Sequence, residues 1–314
     1  MTAGAALLAC LVVLGVPLAA PASEDASDGP GKPLSVCLQT NDPPLSLRDG
    51  NGPDGFAVAL SRRIAERLHR DLRVQWFVSR DDPDASLVKE ANALLSDGRC
   101  QLVAEFPLVA DTLGRQTASL GKLPPFDGAA PEDRRRWVKL RELVATQPYR
   151  LDTLTVVLSA RNADRPVRKL ADLAGLKVGV EIATLADAIA MSYADGQLAE
   201  RVVHLPDAHA LFDRVQRGEL DAGFVGLREL DAWRLKHGAA GLAPTGYVHS
   251  IGFNMGFVGL ASNSRLIEQA DAVIAELQSR NAIGALAGAA GLTYVPPRTP
   301  AVLPAFARTA LAGD

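Results

Sequence analysis

The sequence predicts an α/β protein built as two doubly wound lobes. Three observations carry this. From Leu34 onward, short apolar runs alternate with amphipathic helical segments, the pattern of parallel strands joined by helices. The rhythm breaks near residue 150 and starts again near Leu176. The chain has 314 residues, enough for two ordinary domains.

In the first half, Leu34–Leu38 is a short apolar strand. Asn41-Asp42-Pro43-Pro44 ends it, because prolines cannot continue a ladder. Gly50 to Gly55 is a turn-rich loop. Phe56, Leu60, Ile64 and Leu68 recur every fourth residue and predict a helix, with Arg62, Arg63, Glu66 and Arg67 on its other side. Leu72–Val78 reads as a strand, Leu87–Leu95 as a helix ended by Asp97-Gly98, and Cys100–Phe106 as a third strand. Residues 122–141 interrupt the rhythm. Pro124-Pro125, Gly128, Pro131 and a basic run predict a long surface loop or insertion, with Trp137 as its anchor.

In the second half, Leu154–Leu158 is an apolar, β-branched strand and Leu176–Val180 another. A helix starts at Thr184, which forms a capping-box-like pair with Asp187. Strands at Arg201–His204, Asp221–Val225 and Met255–Leu260 follow, with a helix at Ala208–Arg217. The stripe Leu266, Ile267, Ala270, Val273, Ile274 and Leu277 marks a last amphipathic helix from about Arg265 to Ser279. From Pro296 the chain is rich in proline and alanine, and partial order is expected there.

Composition narrows the function. Hydrophobic residues make up 48% and charged residues 22%, as in ordinary globular proteins. The net charge is −3, with none of the basic footprint of a nucleic-acid binder. The densest basic run, Arg134 to Arg136 with Lys139 and Arg141, is flanked by Asp127, Glu132, Asp133 and Glu142 and reads as solvated surface. The five histidines show no H-E-x-x-H or H-x-x-x-H spacing and the cysteines no metal-ligand cluster, so no metal is expected. No G-x-S-x-G elbow or phosphate loop appears, and neither a catalytic residue nor a cofactor is assigned.

The N-terminus predicts export. Leu7 to Leu18 is apolar but too short to span a bilayer, and Ala20-Pro21-Ala22 fits a cleavage site, so residues 1–22 read as a signal peptide and the mature protein as periplasmic. Removing them leaves Cys37 and Cys100. An even pair in an exported protein predicts a disulfide; two buried thiols are the alternative.

Several stretches then resemble one family, the bacterial periplasmic solute-binding proteins of family 3, with their type II periplasmic-binding fold. Gly55-Phe56-Ala-Val-Ala-Leu60 with Arg63-Ile64 is similar to the family's G-F-x-V-D-L helix. Leu170 to Val180 resembles its D-L-x-G-K-x-V-G-V passage, and Leu211 to Phe224 its L-x-x-G-x-x-D-A segment. The resemblance implies lobe 1 at 33–152 and 255–297, lobe 2 at 153–254, and a tail at 298–314. Hinge crossings fall near Tyr149–Thr153 and Asn254–Phe257, and the ligand lies between the lobes.

The same resemblance implies site residues. Thr112-Leu-Gly-Arg115 matches the T-x-x-R pattern whose arginine pairs with a ligand carboxylate; a plain surface arginine is the alternative. Thr184 stands in the family's G-T-T turn, where Ala183 replaces a glycine, and is either a ligand contact or an N-cap. The family's second-lobe acid is absent, with Gly226-Leu-Arg228-Glu229 in its place. Pro44, Phe106, Tyr149, Arg150, Arg228 and Glu229 complete the expected ligand set, with Glu105, Glu181 and Tyr247 as further cleft positions. The implied partners are a small polar solute and a membrane transporter. Gly98-Arg-Cys100 and Leu143 to Arg150 also resemble a subgroup associated with periplasmic quinoprotein dehydrogenases, which would make such an enzyme the partner instead.

Overall fold

The computed structural model describes residues 31–304 except 50, 80–85, 116–119, 134–135 and 239. The expected signal peptide, Arg134, Arg135 and the final residues 305–314 lie outside the described residues.

The first lobe opens with β1 (Leu34–Gln39), a hairpin of β2 (Leu47–Asp49) and β3 (Gly52–Asp54), and α1 (Phe56–Arg67). Then come β4 (Leu72–Phe77), α2 (Leu87–Ser96), β5 (Leu102–Pro107), β6 (Leu120–Lys122), β7 (Trp137–Lys139) and β8 (Leu143–Ala145). Gly55 sets the angle at which α1 leaves the hairpin. Its φ is 108°, and a Cβ there would lie 2.5 Å from the Leu45 carbonyl oxygen, so only glycine fits.

The long strand β9 (Arg150–Ser159) leads into the second lobe. That lobe contains β10 (Val178–Glu181), α3 (Leu185–Ser192), β11 (Val202–Leu205), α4 (Ala208–Gln216), β12 (Ala222–Gly226), α5 (Leu227–His237) and β13 (Leu242–Pro244). A second long strand, β14 (Gly252–Leu260), returns to the first lobe, which ends with α6 (Ser264–Ser279) and α7 (Ala282–Ala289).

The main sheet runs β11-β10-β12-β9-β14-β5-β1-β4, with β13 on β9 and β8 on β14. Within each lobe β1 pairs in parallel with β4 and β5, and β10 with β11 and β12. The two crossing strands are antiparallel to each other, with Arg150 opposite Met255 and Thr153 opposite Gly252. Each then continues into one lobe, β9 beside β12 and β14 beside β5.

Apolar packing divides at the same crossing. Two clusters, around Phe56, Leu60 and Phe257 and around Phe77, Phe106 and Val258, cover the faces of the first-lobe sheet. Two others, around Val156 and Phe224 and around Leu211 and Phe212, do so in the second.

Four sequence expectations change. The strands expected at 154–158 and 255–260 start earlier, at Arg150 and Gly252. Their polar starts hide the continuation, because they are satisfied by distant partners: the Thr153 hydroxyl donates to the carbonyls of His249 (3.0 Å) and Ile251 (2.9 Å). Residues 122–141 are not a plain loop, since β6 and β7 form a hairpin that frames them. Trp137 is not the anchor, being 59% exposed; Leu123, Phe126, Val138 and Leu140 are the buried side chains. The sequence favoured tryptophan for its size, but in the short strand Trp137–Lys139 alternation turns Val138 inward instead.

The tail is ordered to Pro304. Val295 accepts from the Leu151 amide at 2.9 Å, and the Asn254 side chain donates to the carbonyls of Arg298 (2.6 Å), Pro300 (3.0 Å) and Ala301 (3.0 Å). Leu303 then exchanges backbone hydrogen bonds with Leu108 and Ala110. The segment is a strap along the crossing strands, held by hydrogen bonds of its backbone and of Arg298, which composition cannot reveal.

Cys37 and Cys100 are joined in a disulfide with a Cα–Cα distance of 5.6 Å. Cys37 lies in β1 and Cys100 two residues before its neighbour β5.

Candidate functional site

Charged side chains from both lobes meet where strands end at the crossing. Asp42 follows β1, Glu105 sits near the end of β5, and Arg150 and Asp152 project from β9. Arg228 and Glu229 come from the first turn of α5.

Glu105 occupies a strained position, with φ at 58°. Tyr149 fixes it from below: the Glu105 amide donates to the Tyr149 hydroxyl oxygen at 2.8 Å, and that hydroxyl donates to the Glu105 carboxylate at 3.1 Å. Tyr149 is fully buried against Phe56 and Phe257. Arg150 grips Glu105 through Nε (2.7 Å) and Nη2 (2.5 Å) and reaches Asp152 through Nη1 (2.9 Å). Its side chain is only 4% exposed. Burial opposes its charge, but the Glu105 and Asp152 carboxylates outweigh burial and hold the guanidinium more basic than usual.

Arg228 bridges the lobes. One end pairs with Asp42 of the first lobe, and Nη2 lies 2.7 Å from Glu229. Glu229 folds back over the start of its own helix, where an acid is favoured. A Cβ on Gly226 would come within 1.7 Å of its carboxylate, so that glycine makes room for it.

On the second-lobe wall, Thr184 is the N-cap of α3: its hydroxyl accepts from the Asp187 amide (3.3 Å) and donates to the Glu181 carbonyl (2.7 Å). Ala183 has a φ of 62°, so it keeps the left-handed turn that glycine would adopt without cost.

The cleft has two small compartments of about 170 Å³ each. Asp42, Glu105, Arg150, Asp152 and Arg228 line one; Asp152, Glu181, Thr184 and Glu229 line the other. A larger cavity of about 820 Å³ lies to one side, between Asp42–Pro44, α5 and the end of α7. It is mostly apolar, with Phe212 and Trp233 on its wall and the Trp233 ring 3.9 Å from that of His237. The strand-end cleft is the better candidate for a polar solute, because its buried charges converge there from both lobes.

The expected residues fall at different places. Arg150, Arg228, Glu229 and Thr184 line the strand-end cleft, with Tyr149 beneath Glu105. Pro44 lines the larger cavity, which Asp42, Arg228 and Glu229 also border. Phe106 is fully buried in the core of the first lobe, and Tyr247 belongs to that of the second. Arg115 is exposed and lines none of these cavities. Sequence reasoning missed Asp42 and Asp152 as site residues. Arg150 and Asp152, two apart on one strand face, were the available signal: opposite charges at the start of an apolar strand.

Burial raises Asp42, Glu105, Glu181 and Glu229 above the ordinary carboxylate range, with the arginines opposing it at Asp42, Glu105 and Glu229 and nearby acids adding to it at Glu181. The folded state therefore holds protons that the unfolded chain has released. The stability these four contribute is greatest below about pH 4, the ordinary carboxylate value, and falls as pH rises through their raised values. Asp172, Glu219 and Asp221 are lowered and act oppositely, losing their contribution below that point. Thermal denaturation of the ligand-free protein over a pH series upward from about 4 tests this: a melting temperature that falls as these groups ionise is expected, and one that only rises over the series contradicts the assignment.

Strand order and paired crossing strands define a two-lobed α/β fold of the type II periplasmic-binding class. Solved structures agree. The L-cystine solute receptor of Neisseria gonorrhoeae in its unliganded open conformation superimposes with a TM-score of 0.59 at 15% identity, over 86% of this chain and 97% of that one. An ancestral cationic amino acid solute-binding protein does so at 0.54 and 17% identity, over 82% and 95%. No protein-family model and no curated protein matches the sequence.

Proposed function

We propose that this chain is an exported binding protein that takes a small polar solute between its lobes and presents it to a membrane transport system, without catalysing a reaction. The observation that carries this is the convergence of Asp42, Glu105, Arg150, Asp152, Arg228 and Glu229 from both lobes at the strand ends. Such groups are costly to bury even when paired, and a cluster of them gathered in a cleft points to recognition. The lobes of this reading are 33–152 with 255–297 and 153–254, hinged near Tyr149–Thr153 and Asn254–Phe257; the separate apolar cores support the division. The N-terminal apolar run and the Cys37–Cys100 disulfide support export to an oxidising compartment. The two superimposable proteins are, by name, an L-cystine receptor and a cationic amino acid binder, which supports the solute class.

Differential scanning fluorimetry against cationic, zwitterionic and anionic solutes tests it. A solute at a hundred times its dissociation constant is expected to stabilise the fold by about 2.7 kcal/mol. No shift with any of them would overturn solute binding and favour a protein-binding role, such as service to a dehydrogenase.

A further inference from the structure

We infer that Arg228 is an internal occupant of the cleft, holding the place that a small cationic solute without a carboxylate takes when it binds. This rests on the solute-binding reading and names the solute class and the gate of that same site.

The charges in the cleft do not balance. Five carboxyl groups, Asp42, Glu105, Asp152, Glu181 and Glu229, face two guanidinium groups, Arg150 and Arg228. The arginines are not equivalent. Arg150 is 4% exposed and is held by Glu105 and Asp152, with Glu105 itself tied to Tyr149, so it is part of the floor. Arg228 keeps 26% of its side chain exposed and reaches from one lobe to an acid on the other. It can swing out on its flexible stem and leave Asp42 and Glu229 to another cation.

The volumes point the same way. Each compartment is about 170 Å³, below the roughly 300 Å³ at which ligand pockets begin. Arg228 lines one, its neighbour Glu229 lines the other, Asp152 lines both, and Arg228 and Glu229 also border the larger cavity. Withdrawing Arg228, which borders both its own compartment and the larger cavity, enlarges that compartment toward small-solute size. Its walls are then acidic, since Arg150 stays engaged with its two carboxylates. An ammonium or guanidinium group satisfies Asp42 and Glu229 there, whereas a solute carboxylate meets like charge. Burial already holds these two acids above the ordinary range with Arg228 in place, so a better-placed cation has something to gain from them.

Isothermal titration calorimetry on the intact mature protein tests this with agmatine, L-arginine and L-glutamate, because agmatine is L-arginine without its carboxylate. Agmatine is expected to bind, at least tenfold more tightly than L-arginine, and L-glutamate not at all. Arg228→Met is expected to bind agmatine at least tenfold more tightly than the parent, and Asp42→Asn at least tenfold more weakly. Unchanged or weaker agmatine binding by Arg228→Met overturns the gate and leaves solute binding standing. Preferential binding of L-glutamate or L-arginine overturns the solute class, again leaving solute binding intact. If none of the three solutes binds to parent or variants, the inference falls, and the wider solute panel decides separately whether solute binding falls with it. If Arg228→Met fails to fold by circular dichroism, Asp42→Asn decides, and unaltered agmatine affinity in that variant overturns the proposal.

Discussion

Replacing Arg150 with methionine is expected to destabilise the fold by about 3–5 kcal/mol, the usual cost of removing one partner of a buried ion pair. The side chains are 4% exposed for Arg150 and 12% for Glu105, so solvent screens the pair little. The variant leaves the Glu105 carboxylate buried beside Asp152 with only Tyr149 to donate to it. Glu105 would then favour its protonated form still more strongly. The deficit should therefore shrink as pH falls and grow as it rises. Pairing the change with Glu105→Gln removes the orphaned charge, and the double variant is expected to recover more than half of the loss. Urea melts of the parent, the two single variants and the double variant at two pH values measure all of this. An Arg150→Met variant within 1 kcal/mol of the parent at neutral pH, on the order of a surface change, would show that the pair is not structural.

The second large effect belongs to the disulfide. Cys37 and Cys100 are separated by 63 positions, and closing a loop of that length restricts the unfolded chain by about 4 kcal/mol in the chain-entropy model. Cys37→Ala with Cys100→Ala is expected to cost about that much, plus a small packing loss because both cysteines are buried. Reduction without mutation should give a similar loss of denaturant midpoint. Equal midpoints for the oxidised and reduced protein would mean that the bridge contributes nothing to stability.

Most of the alternation of strands and helices was legible in the sequence, because it rests on local periodicity. Phe56, Leu60 and Ile64 on one helix face, and the stripe from Leu266 to Leu277, are buried as their spacing demands. The cysteine pair was legible too, from the even number left once the expected signal peptide is removed. The floor of the cleft was only partly so. Arg150 and Glu105 stood out as charged residues near strand ends, but nothing in their spacing says that Glu105 takes a left-handed backbone and locks to Tyr149, 44 residues away. Asp42 read only as a strand breaker between turn residues, since its partner Arg228 lies 186 positions further on. From Pro296 only partial order was expected, because the contacts that hold this segment are hydrogen bonds of its backbone and of Arg298 to distant residues, which composition does not show.

The sequence by itself determined the alternation of elements and the α/β class, which follow from side-chain periodicity and composition, and it offered Cys37 with Cys100 as a candidate pair that the structure joins. The tertiary structure alone decided which charges meet. Ion pairing depends on the distance between side chains brought together by the crossing strands, and that distance is set by register and packing across nearly two hundred residues of chain.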